Sequence, residues 1–148
     1  MIPVAQIRDP EVAEMALDAA AFLSAQPWCR SVRKAELGWA LAGVLGVFRI
    51  TIDPASPEVH GNLWVVIGDL PPAYLVADDT PTWRDALAGY VMEMTRWIDA
   101  VRAGESLDDV IPVDAEPTLA HADLLESRLR FLREEILDVP AEFLEGDV

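Results

Sequence analysis

The sequence predicts one α+β domain over residues 1–148, in which a small antiparallel sheet of about three strands is packed by N-terminal and C-terminal helices. Two observations support this prediction. Runs rich in β-branched residues lie in the middle of the chain, and amphipathic runs with helical spacing lie on both sides of them. A length of 148 residues also matches one domain with one core. The predicted order of elements is helix, helix, strand, strand, strand, helix, helix.

The N-terminal helix is predicted over residues 9–25. Asp9 suits the N-cap and Pro10 suits the first helical position. Apolar residues recur at helical spacing along one side, at Val12, Met15, Ala16, Ala19, Phe22 and Leu23. After Pro27, residues 28–37 are expected to make two or three further helical turns. These turns would hold the most concentrated positive patch of the sequence, Arg30, Arg33 and Lys34.

Three strands are predicted next, at residues 41–53, 63–68 and 73–77. The first has the two-residue period of a strand. Its two alternating sets are Phe48, Ile50, Ile52 and Val47, Arg49, Thr51. The first two runs are separated by a single surface loop rich in proline, which predicts an antiparallel hairpin.

Two helices are predicted after the sheet. Thr80 is expected to cap a helix that begins at Pro81 and ends at Gly104. The last helix is predicted over residues 118–137, and three residues widen its apolar stripe: Leu124, Phe131 and Leu137. A stripe of this width predicts contact with the sheet and with another helix or another subunit. Residues 138–148 are expected to form a flexible acidic tail.

The charge balance restricts the classes of partner. The net charge is −15, with 26 acidic against 11 basic residues. Phosphate backbones are repelled by such a chain, whereas a protein with a basic face is attracted. A basic n-region and an apolar run of ~20 residues are both absent, so neither a signal peptide nor a membrane span is expected. We therefore expect a cytoplasmic protein that binds neither nucleic acid nor a membrane directly.

Residues with catalytic or metal-binding chemistry are few. The two histidines, His60 and His121, have no paired spacing, and neither an HExxH nor a GxSxG motif occurs. The acidic pairs Asp78–Asp79 and Asp108–Asp109 could supply a general acid or hold Mg²⁺, but both lie at predicted helix entrances, where Asp is favoured for capping. The sequence thus predicts no catalytic residue, no metal site and no cofactor, and it favours a protein that is not an enzyme.

Cys29 is the single cysteine, so an internal disulfide and a cysteine-rich metal site are both excluded. Two interpretations of this thiol remain open. Arg30 and Arg33 could stabilise a reactive thiolate, or Cys29 could be a buried, inert side chain.

Asp69 lies in the segment 63-LWVVIGDLPPAYLVADD-79, and it also has two interpretations. It could fix a turn by accepting hydrogen bonds from backbone N–H groups two residues further on. Alternatively, its carboxylate could lie at the rim of the sheet, held by Arg30 or Arg33, and face a pocket in which Tyr74 donates a hydrogen bond.

Two short segments, 27-PWCR-30 and 64-WVVIGDLP-71, precede an alanine-rich helix that contains tryptophan. In these segments the chain resembles a family of bacterial proteins that is described only as a domain of unknown function. The resemblance implies a bacterial origin and a set of shared residues, but no activity. The shared residues are Trp28, Cys29, Arg30, Trp64, Gly68, Asp69 and Pro71.

Three functional hypotheses follow. The first is a non-enzymatic cytosolic interaction protein that binds a second copy or a basic partner through an apolar helical surface ringed by acidic groups. The second is a small-molecule-binding or enzymatic site where Asp69, Arg30 and Tyr74 converge beside Cys29. The third is an acidic immunity-type inhibitor or nucleic-acid mimic that offers its carboxylates to a basic enzyme.

Overall fold

A computed structural model describes residues 1–144, and residues 145–148 lie outside the described part of the chain. Within residues 1–144 there are five strands, which form an antiparallel sheet in chain order. They are β1 Ile2–Pro3, β2 Cys29–Leu41, β3 Leu45–Pro54, β4 Asn62–Gly68 and β5 Ala73–Val76. Three α-helices accompany them: α1 Pro10–Ser24, α2 Trp83–Ala103 and α3 Leu119–Leu132. The α+β class and the antiparallel sheet are confirmed, but the number of strands is wrong.

The sheet lies between α1 on one face and α2 on the other, and α3 packs against α2. Alternation along β3 produces this arrangement, because successive side chains of a strand point to opposite faces. Phe48, Ile50 and Ile52 are buried with α1, whereas Leu45 and Val47 are buried with α2. The period predicted for this strand is therefore confirmed.

Residues 29–37 form most of β2, so the prediction of helical turns over residues 28–37 is wrong. The strand pairs with β3 from Cys29 opposite Pro54 to Leu41 opposite Leu45. A tight turn between the two strands uses the left-handed backbone of Gly43, at φ 73°. The strand predicted over residues 41–53 therefore spans the β2–β3 turn as well as most of β3. Pairing along the whole length of β3 outweighs the weak local helix preference of this segment.

Side-chain caps fix the ends of the helices. Asp9 accepts from the backbone N–H groups of Glu11 and Val12, at 2.9 and 3.2 Å, as the sequence predicts. The start of α2 is two residues later than predicted, because Thr82 is the capping residue. The Thr80 hydroxyl instead donates to the Val76 carbonyl at 2.7 Å and closes the turn after β5.

The end of α3 continues into a π-helical turn over Arg133–Leu137. Arg84 on α2 holds this end, since its Nη2 donates to three carbonyl oxygens in the last turn and directly after it. The acceptors are Ile136, Leu137 and Val139, at 3.3, 2.8 and 2.8 Å. The acidic tail predicted for 138–148 includes residues 145–148 outside the described part, and it stays a prediction.

Candidate interaction surface

Two turns meet at one end of the sheet, namely the β2–β3 turn and the β4–β5 turn. The Asp69 N–H donates to the Val44 carbonyl at 2.9 Å, and Gly68 lies opposite Leu45 in the sheet. Tyr90, fully buried on α2, donates to the Pro71 carbonyl at 2.6 Å. Burial raises the pKa of this hydroxyl, so it remains a donor at neutral pH. The two turns are therefore held as a fixed edge, which we call the Val44–Asp69 ridge.

An apolar cavity of about 380 Å³ lies between the ridge and α3. Its walls are Val44, Asp69, Leu70, Ser127, Arg128, Phe131 and Leu132. Two of these apolar side chains are partly in solvent, since Val44 is 37% exposed and Phe131 is 39% exposed. The cavity could therefore bury further apolar area if another molecule entered it.

Helix α3 carries a second apolar stripe that faces solvent. Its inner side is buried against α2, at Ala122, Leu125, Leu129 and Leu132. Leu124 and Phe131 lie two helical turns apart on the outer side, with Ser127 between them, and Leu124 is 55% exposed. We call this set the exposed α3 stripe. The third residue of the predicted stripe, Leu137, differs because it packs partly buried against the core.

The orientation of α3 is set by charged side chains as well as by its buried side. Arg102 on α2 donates to Asp123 and Glu126 at 2.7 Å each. These bonds raise the pKa of the Arg102 guanidinium and lower the pKa of the Glu126 carboxyl. All three groups are solvent-accessible, so their main effect is to fix the helix rather than to stabilise the fold strongly.

An acidic cavity of about 460 Å³ lies on the other side of the ridge, against α1. Glu11, Glu14 and Asp18 line it together with Asp69 and Val44 of the ridge. None of the three α1 carboxylates makes a hydrogen bond or ion pair with any residue in 1–144. The sequence of α1 contains neither lysine nor arginine. Within residues 1–144, no basic side chain therefore pairs with this negative charge.

Asp69 is bonded to α3 and not to β2. Arg128 donates from Nε to the Asp69 carbonyl at 2.6 Å, and its Nη2 lies 3.4 Å from both carboxylate oxygens. The Asp69 side chain is still 74% exposed. Sequence reasoning missed Arg128, because it lies 59 residues from Asp69 along the chain. The predicted bonds to N–H groups two residues further on are wrong, since that residue is Pro71, which has no N–H.

Arg30 and Asp69 lie at opposite ends of the sheet. Gly68, next to Asp69, is opposite Leu45, whereas Cys29, next to Arg30, is opposite Pro54. The nine residue steps of β3 from Leu45 to Pro54 span roughly 30 Å. Arg30 instead lies within reach of the Ala55 carbonyl, at 3.4 Å. The predicted convergence of Arg30 with Asp69 is therefore wrong.

The other predicted site residues divide between an aromatic cluster and the core. The Trp28 and Tyr74 rings meet edge to face, with centroids 5.0 Å apart. Cys29 is 8% exposed. Burial, with a further contribution from Asp53, raises the pKa of its thiol, which favours the inert interpretation. Trp64 is 1% exposed and donates to the Thr80 carbonyl at 2.6 Å, so it belongs to the core.

The histidines are bonded locally. His60 Nδ1 lies 3.0 Å from Asp78, and His121 Nδ1 lies 3.0 Å from the Glu116 carbonyl. Among the described residues, no three His, Cys, Asp or Glu side chains are grouped closely enough to hold a metal ion. Across residues 1–144, no helix combines the length and apolar character required to cross a bilayer.

Comparison with known proteins returns no match to any family model, curated protein or solved structure. The resemblance carried by 27-PWCR-30 and 64-WVVIGDLP-71 stays a prediction. The fold and the surface together define an acidic α+β protein with an apolar cavity and an acidic cavity on either side of one ridge.

Proposed function

We propose that this chain is a non-enzymatic interaction protein that binds a basic, amphipathic segment of a partner protein across the Val44–Asp69 ridge. One observation carries the proposal: the apolar cavity and the acidic cavity share Val44 and Asp69. A single segment can therefore place apolar side chains against the exposed α3 stripe and lysine or arginine side chains against α1.

The two cavities contribute differently to binding. Apolar side chains that enter a pocket and exclude water supply most of the affinity at protein interfaces. Exposed ion pairs add only about 0.2–1 kcal/mol each, so the α1 carboxylates mainly accelerate association and select a basic partner. We therefore assign affinity to Phe131 and its neighbours, and selectivity to Glu11, Glu14 and Asp18.

A basic partner is favoured over a second copy of the chain. Each copy carries a net charge of −15. A two-fold interface on this surface would bring the same carboxylates toward each other, because both subunits use one patch. An acidic immunity-type inhibitor is a special case of this proposal, with a basic enzyme as the partner. The single, buried Cys29 suits a reducing compartment, and we take the cytoplasm as the location.

The proposal is tested by site-specific photo-crosslinking in the native cells. A photoreactive phenylalanine analogue is placed at Phe131 in one variant and at Met92 in a matched control. Met92 is 61% exposed on α2, away from the ridge cavities. We expect a dominant adduct from position 131, absent from position 92, in which the label maps to a lysine- or arginine-rich segment.

Three outcomes would contradict the proposal. The first is the absence of any adduct from position 131. The second is the same set of adducts from both positions. The third is an adduct between two copies of this chain, which would favour self-association instead.

A further inference from the structure

We infer that a separate cavity beside Tyr74 binds a small organic cation, namely a primary amine attached to an apolar group. This cavity of about 250 Å³ lies between the end of α1, the start of β5 and residues 111–114 of the connector after α2. It shares no lining residue with the two ridge cavities. Binding here is thus independent of the function proposed for the ridge.

The lining is mostly apolar, with three polar side chains. Six of its nine residues are apolar, and the polar ones are Gln26, Tyr74 and Asp114. The Gln26 amide donates from Nε2 to the Phe22 carbonyl at 3.1 Å, which leaves its Oε1 as an acceptor. The Tyr74 hydroxyl and the Asp114 carboxylate make no hydrogen bond with any other residue that the structure describes.

These three groups define the ligand by their hydrogen-bonding capacity. A carboxylate and an amide oxygen can only accept, and a phenol oxygen can accept as well. A complementary group must supply several donors, and a primary ammonium has three N–H bonds. A carboxylate ligand would instead be repelled by the Asp114 carboxylate and would find no charged donor in the lining.

Charge and aromatic rings support the same class of ligand. The lining includes Asp114 but no lysine, arginine or histidine. Phe22 and Tyr74 are both lining residues, and their ring centroids lie 6.3 Å apart. Aromatic faces attract a cation within about 6 Å through their quadrupole. An ammonium near Tyr74 and Asp114 would gain from both groups.

The volume limits the size of the apolar part. A dry cavity of roughly 150 Å³ holds benzene. The larger volume of this cavity suits an aromatic ring with a short aminoalkyl chain, on the order of ten heavy atoms. 2-Phenylethylamine has this size and charge, so it serves as the probe.

The test titrates the full chain with three small molecules and monitors each titration by two-dimensional ¹H–¹⁵N NMR. The probes are 2-phenylethylamine, the uncharged 2-phenylethanol and the anionic phenylacetate. We expect saturable shifts from the amine, centred on residues 22–26, 72–74 and 111–114. The alcohol should bind about 10-fold more weakly, and phenylacetate should give no saturable shifts.

Matched variants separate this site from general attraction to an acidic protein. Asp114→Asn should weaken binding of the amine about 10-fold and leave binding of the alcohol unchanged. Asp108→Asn removes the same charge from the same connector but lies outside the lining, and it should change neither affinity. Three results would overturn the inference. The chemical shift changes caused by the amine could spread over the surface without saturation, or the amine and the alcohol could bind with equal affinity. The third is an equal loss of affinity for the amine in both variants.

Discussion

Gly68→Ala is expected to lower the free energy of unfolding by about 4 kcal/mol, because the substitution strains the ridge itself. Gly68 has φ 143°, a conformation that other residues rarely adopt. A β-carbon there would lie 2.2 Å from the Val44 carbonyl oxygen and 2.8 Å from its carbon. Backbone strain of this kind costs about 1–3 kcal/mol, and overpacking costs a similar amount.

The neighbouring backbone has little freedom to move away. The Val44 carbonyl accepts from the Asp69 N–H, and the Val44 N–H donates to the Leu41 carbonyl at 2.9 Å. Urea unfolding followed by tryptophan fluorescence measures the cost. Gly61→Ala is the matched control, because the nearest atom to its added carbon is the Ile52 carbonyl oxygen, at 3.5 Å. We expect Gly61→Ala to lower the free energy of unfolding by less than about 0.5 kcal/mol. A cost below about 1 kcal/mol for Gly68→Ala would contradict the described geometry.

Phe131→Glu is expected to weaken partner binding about 100-fold, the largest effect on binding. The substitution removes the largest apolar side chain of the apolar cavity and adds a carboxylate where the partner must exclude water. The side chain is 39% exposed, so we expect the free energy of unfolding to change by no more than about 1 kcal/mol. The measurement is isothermal titration with a synthetic peptide that corresponds to the cross-linked segment of the partner.

Met92→Glu is the control for this substitution, since it makes the same change of charge at an exposed apolar residue of α2. We expect the affinity of Met92→Glu for the partner peptide to stay within about 2-fold of the wild-type value, because Met92 lines neither ridge cavity. Equal losses in the two variants would show that the apolar cavity does not contact the partner. Unchanged binding by Phe131→Glu would show the same.

The sequence predicted those elements whose ends and periods are local. Asp9 and Pro10 identify the start of α1, and the alternation around Phe48 identifies β3. The strand β2 could not be recognised in this way, because its first half alternates poorly and its pairing with β3 depends on the turn at Gly43. The two residues of β1 are too few to carry any period.

The candidate surface was predictable only in part. The spacing of Leu124 and Phe131 already indicated a stripe wider than α2 alone would bury. The proximity of Asp69 to Arg128 and to α1 depends on the order of strands, which a single sequence does not determine. Had β2 been recognised, the meander would have placed Arg30 and Asp69 at opposite ends, since successive antiparallel strands reverse direction.

The most direct test of the proposed surface compares two charge reversals that alter the net charge equally. Glu14→Lys with Asp18→Lys changes the acidic cavity, whereas Glu58→Lys with Asp79→Lys changes exposed residues outside both ridge cavities. Each pair moves the net charge from −15 to −11. The measurement is the affinity for the cross-linked partner peptide at low salt. We expect a loss of about 10-fold for the first pair, because two carboxylate contacts are replaced by two lysines that repel a basic segment, and a change within about 2-fold for the second. Equal losses for the two pairs would show that overall charge attracts the partner and that the ridge does not bind it.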